Sequence, residues 1–348
     1  MNLFEKLVDD SKLHKNFKLI LEVGHEQERD VLNNWIKGFP DRDGKFVKEF
    51  QTTFNSSFWE IYLYSLFQDF NFEFDWNCSR PDFSLKSNEL EFIVEATIAN
   101  NARGKKEEWN KDIFEVKDIV EVYDDYLENM NEKNIYSIIR LANSFLTKLR
   151  KYRDSYGTLS HVKDKPFILA ISPFEQPLSY HQYDRAIMAL LYDYYVDEEA
   201  FRKNPEKYPN EPPAISLGSV EKENGSEILL GMFMDERAKE VSAVIFNPLA
   251  TWGKVLSMSD KMSVVQSRWV TDNGLKMSIN EKELIEDGLF VFHNPFAEYP
   301  LPKDIFDRER VCQVFMDKNT LYLEKNFGEK HLFGRTPMGM TLMEKKNM

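Results

Sequence analysis

The sequence predicts an α/β protein, helices covering a sheet, with a C-terminal strand-rich α+β region. Three observations predict it. Aromatic and aliphatic residues recur at helical spacing from Val47 to about Phe70, placing Phe50, Phe54, Phe58 and Ile61 on one face. The runs EFIVEATIA (91–99) and KPFILAIS (165–172) are apolar and strand-sized. Between them an amphipathic helix is expected over 135–152, where Ile135, Ile138, Ile139, Ala142, Phe145, Leu146 and Leu149 share a face.

The remaining elements follow in order. Residues 1–37 read as helical and close before the turn-rich FPDRDG. NFEFDW (71–76) and DFSLK (82–86) read as extended segments separated by Pro81. The charged stretch 101–134 reads as a solvated insertion containing helix. SYHQYDRAIMALLYDYY predicts a further amphipathic helix, and FRKNPEKYPNEPP a polar loop. A hairpin turning at ENGS and strands VSAVIF, GLFVF and VCQVFM are expected after it, and TPMGMTLMEKKNM is expected to fray. The organisation read from this order is a helical segment at 1–46, a core at 47–172 and a mixed α+β region at 173–348.

Composition narrows the function. With 348 residues and 42% hydrophobic content the chain can bury a sizeable core, in one large or two ordinary domains. A net charge of -13 argues against bulk electrostatic coating of nucleic acid, while leaving room for a local basic groove. Cys78 and Cys312 have no zinc-type spacing, and a reducing cytoplasm is the expected location. The mixed charges of MNLFEKLVDD do not read as a signal peptide, and no apolar run approaches the roughly 20 residues that span a bilayer. His14, His25, His161, His181, His293 and His331 show no metal-ligand spacing, no glycine-flanked elbow surrounds a serine, and no glycine-rich phosphate loop is present.

Glu95 is the residue that asks for chemistry. A carboxylate inside FIVEATIA is costly unless a cation, a metal ion or a proton neutralises it. Strand alternation puts Ile93, Glu95 and Thr97 on one face and Phe92, Val94, Ala96 and Ile98 on the other. In DFSLK the same rule groups Asp82, Ser84 and Lys86 against Phe83 and Leu85. If the polar faces align, Asp82 and Glu95 converge, and two hard oxygen donors suit magnesium or manganese.

These residues resemble the PD-(D/E)XK nuclease superfamily, the restriction-endonuclease-like fold. Pro81-Asp82 and Glu95-Ala96-Thr97 match its two motifs, and its order of helix, three strands, helix and strand is the order read between 47 and 172. The resemblance covers rather more than a third of the chain. It implies a central mixed sheet flanked by helices and Mg²⁺- or Mn²⁺-dependent hydrolysis of phosphodiesters, with nucleic acid, DNA first, as the partner. Bacterial defence or DNA repair is the implied setting. Asp82 and Glu95 become the foremost implied metal ligands, and Glu60, in FWEIYLYSLF, occupies the place of the glutamate the family often carries on its helix as a contributor to the metal site. The family's lysine position holds Thr97, a neutral hydroxyl. Lys148 on the following helix is the first candidate for the missing cation, Lys86 the second, and Arg80 and Lys165 come after them. Without such a lysine the resemblance implies a catalytically inactive module binding nucleic acid or protein. The oligomeric state, homodimer included, stays open.

Plainer roles stand beside these. Glu60 reads equally as a boundary residue, Asp82 as a turn or cap residue, and Glu95 as the anion of a buried salt bridge to Arg80 or Lys86. Lys148, Arg150, Lys151 and Arg153 read as a solvated helix end that complements the helix dipole. YDYY (192–195) could stack bases, although such aromatics are more often core, and basic groups at 103–111 and 148–165 could line a phosphate groove.

Overall fold

The computed structural model describes residues 1–102, 104–105, 124–260 and 264–338. Most of the charged insertion expected at 101–134, most of the basic group at 103–111 and most of the tail expected to fray lie outside them.

Four helices lead into the sheet: α1 (Lys15–Leu21), α2 (Glu26–Trp35), α3 (Phe46–Thr52) and α4 (Phe54–Asp69). The single helix expected from Val47 to Phe70 is therefore divided. Thr53, at φ -126° and ψ 45°, leaves the helical region, and the hydroxyls of Thr52 and Thr53 donate back to the carbonyls of Lys48 and Glu49. Such back-bonding competes with the helical ladder and bends it.

The main sheet has eight strands, lying side by side in chain order: β1 (Glu73–Phe74), β2 (Phe83–Ser87), β3 (Leu90–Asn100), β4 (Phe167–Phe174), β5 (Ala243–Phe246), β6 (Phe290–His293), β7 (Cys312–Met316) and β8 (Leu323–Asn326). β1, β2 and β3 form an antiparallel meander, β3, β4 and β5 run parallel, and β6 opposes β5. The sheet is thus mixed, and region 173–348 contributes half of its strands. A parallel pair needs a crossover. For β3 and β4 it includes α5 (Met130–Asp154), which contains the helix expected at 135–152.

Alternation along β3 and β4 sorts the two layers. Phe92, Val94, Ile168 and Ala170 join the cluster of Phe17, Phe50, Phe58 and Trp59 from the N-terminal helices. Trp59 Nε1 donates to the Ala170 carbonyl at 3.0 Å, which ties α4 to the sheet. On the opposite face Ile93, Leu169 and Ile171 pack with Ile138, Leu141 and Phe145 of α5 and with α6 (Arg185–Tyr192).

Two further expectations are corrected. NFEFDW forms only the two-residue β1, and the helix expected from Ser179 splits into a 3-10 turn (Ser179–Gln182) and α6. Tyr183, at φ +52°, interrupts it, a strained conformation held by packing of its ring against Phe290 and Phe333. The ENGS hairpin forms, pairing Ser219–Glu221 with Glu227–Leu229. A second, three-stranded sheet of Val264–Thr271, Gly274–Ile279 and Lys330–Met338 carried no expectation from sequence. Among the described residues no helix is long and apolar enough to cross a membrane.

Candidate functional site

The β2–β3 hairpin sets the geometry. Phe83 pairs with Val94 and Ser84 with Ile93, so Asp82, one residue before β2, faces the position of Glu95. Its Oδ2 accepts the Ala96 backbone N–H at 2.7 Å. The segment leading in is clamped from outside: Arg42 donates to the carbonyls of Cys78 (3.0 Å) and Asp82 (3.2 Å), and its guanidinium lies 5.3 Å from the Trp76 ring centre.

Glu95 is 1% exposed. Its Oε1 accepts from Lys148 Nζ at 2.6 Å, Lys151 Nζ at 3.0 Å and the Tyr156 hydroxyl at 3.2 Å. Its Oε2 is buried and has no hydrogen-bond partner among the described residues. Lys148 and Lys151 stand three residues apart on α5, the spacing that puts two side chains on one helix face. Tyr156 follows in the 3-10 turn that ends the helix, and the Lys151 ammonium also sits 4.7 Å from its ring centre.

Three carboxyls meet two lysines here, and burial resists the ionisation of two of them, Asp82 and Glu60. Burial, then the negative charge of Glu95, lifts the Asp82 carboxyl to about 6, against the pull of Lys148, the Ala96 N–H and Lys151. Glu60, reaching in from α4, is lifted to about 8 by burial and next by Asp82, with Arg42 opposing and Glu49 and Glu95 adding. The Tyr156 phenol is raised by burial and by the charges of Glu95 and Asp82. Glu60, Asp82, Glu95, Lys148, Lys151 and Tyr156 therefore form one electrostatic unit.

Other candidates fall elsewhere. Lys86 pairs in register with Glu91, four residues and about 13 Å along the strand from Asp82, so it is not brought to Glu95. Lys165 ion-pairs with Glu91 at 2.5 Å, and the Arg80 carbonyl lies 2.8 Å from His161 Nε2. The salt bridge expected between Glu95 and Arg80 or Lys86 is thus corrected to Lys148 and Lys151. Thr97 remains two residues beyond Glu95 in β3, a neutral hydroxyl at the family's lysine position. In YDYY, Tyr192 and Tyr195 are core, and the Tyr192 hydroxyl donates to the His293 carbonyl at 2.7 Å.

Lys151, expected only at a solvated helix end or along a phosphate groove, and Tyr156 carried no expectation as partners of Glu95. The spacing of Lys148 and Lys151 was a signal for the first, because a helix that presents one to the sheet presents the other. Tyr156 depends on how the chain turns after α5, which has no local signature.

Among the described residues no group of three or more His, Cys, Asp and Glu is arranged to hold a metal ion. The donor chemistry still fits magnesium or manganese, which use one or two carboxylates with waters and phosphate oxygens completing the shell. Glu95 Oε2 is the acceptor left without a donor, and Asp82 is the neighbour whose charge is resisted. The fold and site define a mixed α/β protein with a buried carboxylate–lysine centre on its main sheet. The chain matches no protein-family model, no curated protein and no solved structure.

Proposed function

We propose that this protein is a divalent-metal-dependent nuclease of PD-(D/E)XK type that hydrolyses phosphodiester bonds, with DNA as substrate and bacterial defence or DNA repair as its setting. One observation carries the reading: α5 brings Lys148 within 2.6 Å of Glu95 Oε1, while Glu95 Oε2 stays buried without a partner beside Asp82. The element order α4, β1–β3, α5, β4 supports it, being the order the resemblance implies.

Asp82 and Glu95 would hold magnesium or manganese, with Glu60 as a further carboxyl near them. When bound, such an ion lowers the pKa of its water and polarises a phosphoryl oxygen. The Ala96 N–H fixes the orientation of Asp82 and Tyr156 that of Glu95. Lys148, in place of Thr97, supplies the fixed positive charge that offsets charge developing on the phosphate, and Lys151 reinforces it from the next turn. The burial that raises Asp82 and Glu60 also keeps water from screening these charges.

Incubation of supercoiled and linear DNA with the protein and Mg²⁺ or Mn²⁺ tests the proposal. Cleavage is expected, abolished in Glu95→Gln and Asp82→Asn and reduced about 10²–10³-fold in Lys148→Ala with metal affinity kept. Cleavage equal in wild type and Glu95→Gln refutes it. A second reading, a non-catalytic binding module on the same core, is favoured by the convergence of Lys148, Lys151 and Tyr156 on one oxygen, as in a closed ion pair. It predicts nucleic-acid or protein binding with no metal-dependent cleavage.

A further inference from the structure

A cavity of about 160 Å³ opens at the other end of α5. Met130, the first residue of the helix, lines it, whereas Lys148 lies eighteen residues on, about 27 Å along the axis. Its walls come from Tyr126, Tyr180, His181, Arg185, Arg268 and Phe333, among others. We infer that this cavity is a binding site for a ligand that joins a flat ring to a phosphomonoester, as an aryl phosphate does directly and a nucleotide through its sugar.

Three arginines line the cavity, and two are spoken for. Arg185 is paired with Glu198, and Arg335 holds Glu283 through Nε and Nη2 at 2.6 and 2.7 Å. Arg268 forms no ion pair among the described residues, its Nη2 makes one long contact to Thr336 Oγ1 at 3.4 Å, and its Nε is buried without a partner. Two more residues of the lining, Tyr126 and Tyr183, have hydroxyls that are likewise buried without partners among the described residues. Buried polar atoms left unpaired are uncommon, and each asks for an explanation. A guanidinium can only donate and a phenol can donate, so the missing partner is an acceptor, and the uncancelled Arg268 charge makes it an anion.

The backbone is shaped around the same residue. Arg268 pairs with Gly334 but Trp269 pairs with Leu332, so the register slips and Phe333 is left over as a bulge. Bulges re-aim side chains, and here the extra residue lines the cavity. A Cβ on Gly334 would lie 3.3 Å from Arg268 Nη2, so the glycine leaves the guanidinium its place.

Ring recognition follows from the aromatic wall. Tyr126 and Tyr180 flank His181 with ring centres 5.6 and 4.5 Å away, and Phe333 meets Tyr183 at 4.5 Å. Burial, with Arg268 and Arg185 nearby, lowers His181 to about 4, so it faces the cavity as a neutral ring at pH 7. The volume is close to that of a cavity of about 150 Å³ known to hold benzene, which suits one flat ring. This inference does not depend on the nuclease proposal.

Isothermal titration of the full chain with phenyl phosphate, phenol and inorganic phosphate tests it. Phenyl phosphate is expected to bind at a single site, and phenol and phosphate about tenfold more weakly or less. Arg268→Gln should weaken phenyl phosphate by about tenfold or more, and Tyr126→Phe, which removes one hydroxyl, by roughly fivefold. Glu95→Gln should leave the affinity unchanged. Competition by adenosine monophosphate identifies a free nucleotide as the source, and competition by a 5′-phosphorylated DNA oligomer alone identifies a strand end; either supports the site. Absence of saturable phenyl phosphate binding, or equal affinity in folded Arg268→Gln and in Tyr126→Phe, overturns it.

Discussion

Glu95 and Glu283 are each 1% exposed, and each is met by two cations, yet their surroundings differ. Arg335 grips both oxygens of Glu283, and Lys254 adds a third bond at 3.3 Å. Lys254 spends its remaining donors on the carbonyls of Leu284 (3.1 Å) and Asp287 (2.9 Å), and both cations are buried. Burial works to raise the Glu283 carboxyl, but Arg335 and Lys254 outweigh it and hold it low. Around Glu95 all three donors crowd onto one oxygen, the other is orphaned, and the lysine side chains keep 20% and 47% exposure. The nearby carboxyls of Asp82 and Glu60 are pushed up, as Asp287 is beside Glu283. A charge buried for structure has every valence filled. The Glu95 centre, by contrast, leaves one carboxylate oxygen without a donor and sets three carboxyls against two lysines, as expected where another cation belongs.

The largest expected effect breaks the closed cluster. Glu283→Ala strands Lys254 and Arg335 and should cost about 3–5 kcal/mol, measured by urea unfolding at pH 7. Next comes the opposite sign at the open one. Because the folded-state pKa of Glu60 is raised, its proton favours the folded state below about 4.5, and that contribution is lost as pH rises through about 8. Glu60→Gln should therefore be more stable than wild type by a few kcal/mol at pH 8.5 and indistinguishable from it near pH 4. Equal curves at both pH values would show that Glu60 is not under strain. The smallest effect is at Tyr156: Tyr156→Phe removes one of three donors from an already saturated oxygen and should change stability by about 1 kcal/mol or less.

Much of this contrast was legible in the sequence for the open centre and little of it for the closed one. Glu95 stood out because a charge in FIVEATIA breaks an otherwise apolar run, and alternation alone turned Asp82 toward it. Lys148 could be named because it flanks the apolar face of a strongly periodic helix. Lys86 shared a strand face with Asp82, but four residues of extended chain separate them, a distance that alternation does not express. Glu283, Lys254 and Arg335 come from three separate segments, and Arg335 lies in the three-stranded sheet that no pattern announced. Partners brought together only by tertiary packing leave no periodic trace. Helix breaks at Thr53 and Tyr183 were hidden for a related reason, since side-chain back-bonding and ring burial override the hydrophobic period.

Whether the Glu95 centre accepts a further cation is tested most directly by a manganese titration of the melting temperature. Mn²⁺ should raise the melting temperature of the wild-type chain saturably, and the rise should vanish in Glu95→Gln while persisting in Lys148→Ala. No rise in wild type, or an equal rise in Glu95→Gln, would contradict the account and leave the Glu95 cluster as a second structural ion pair.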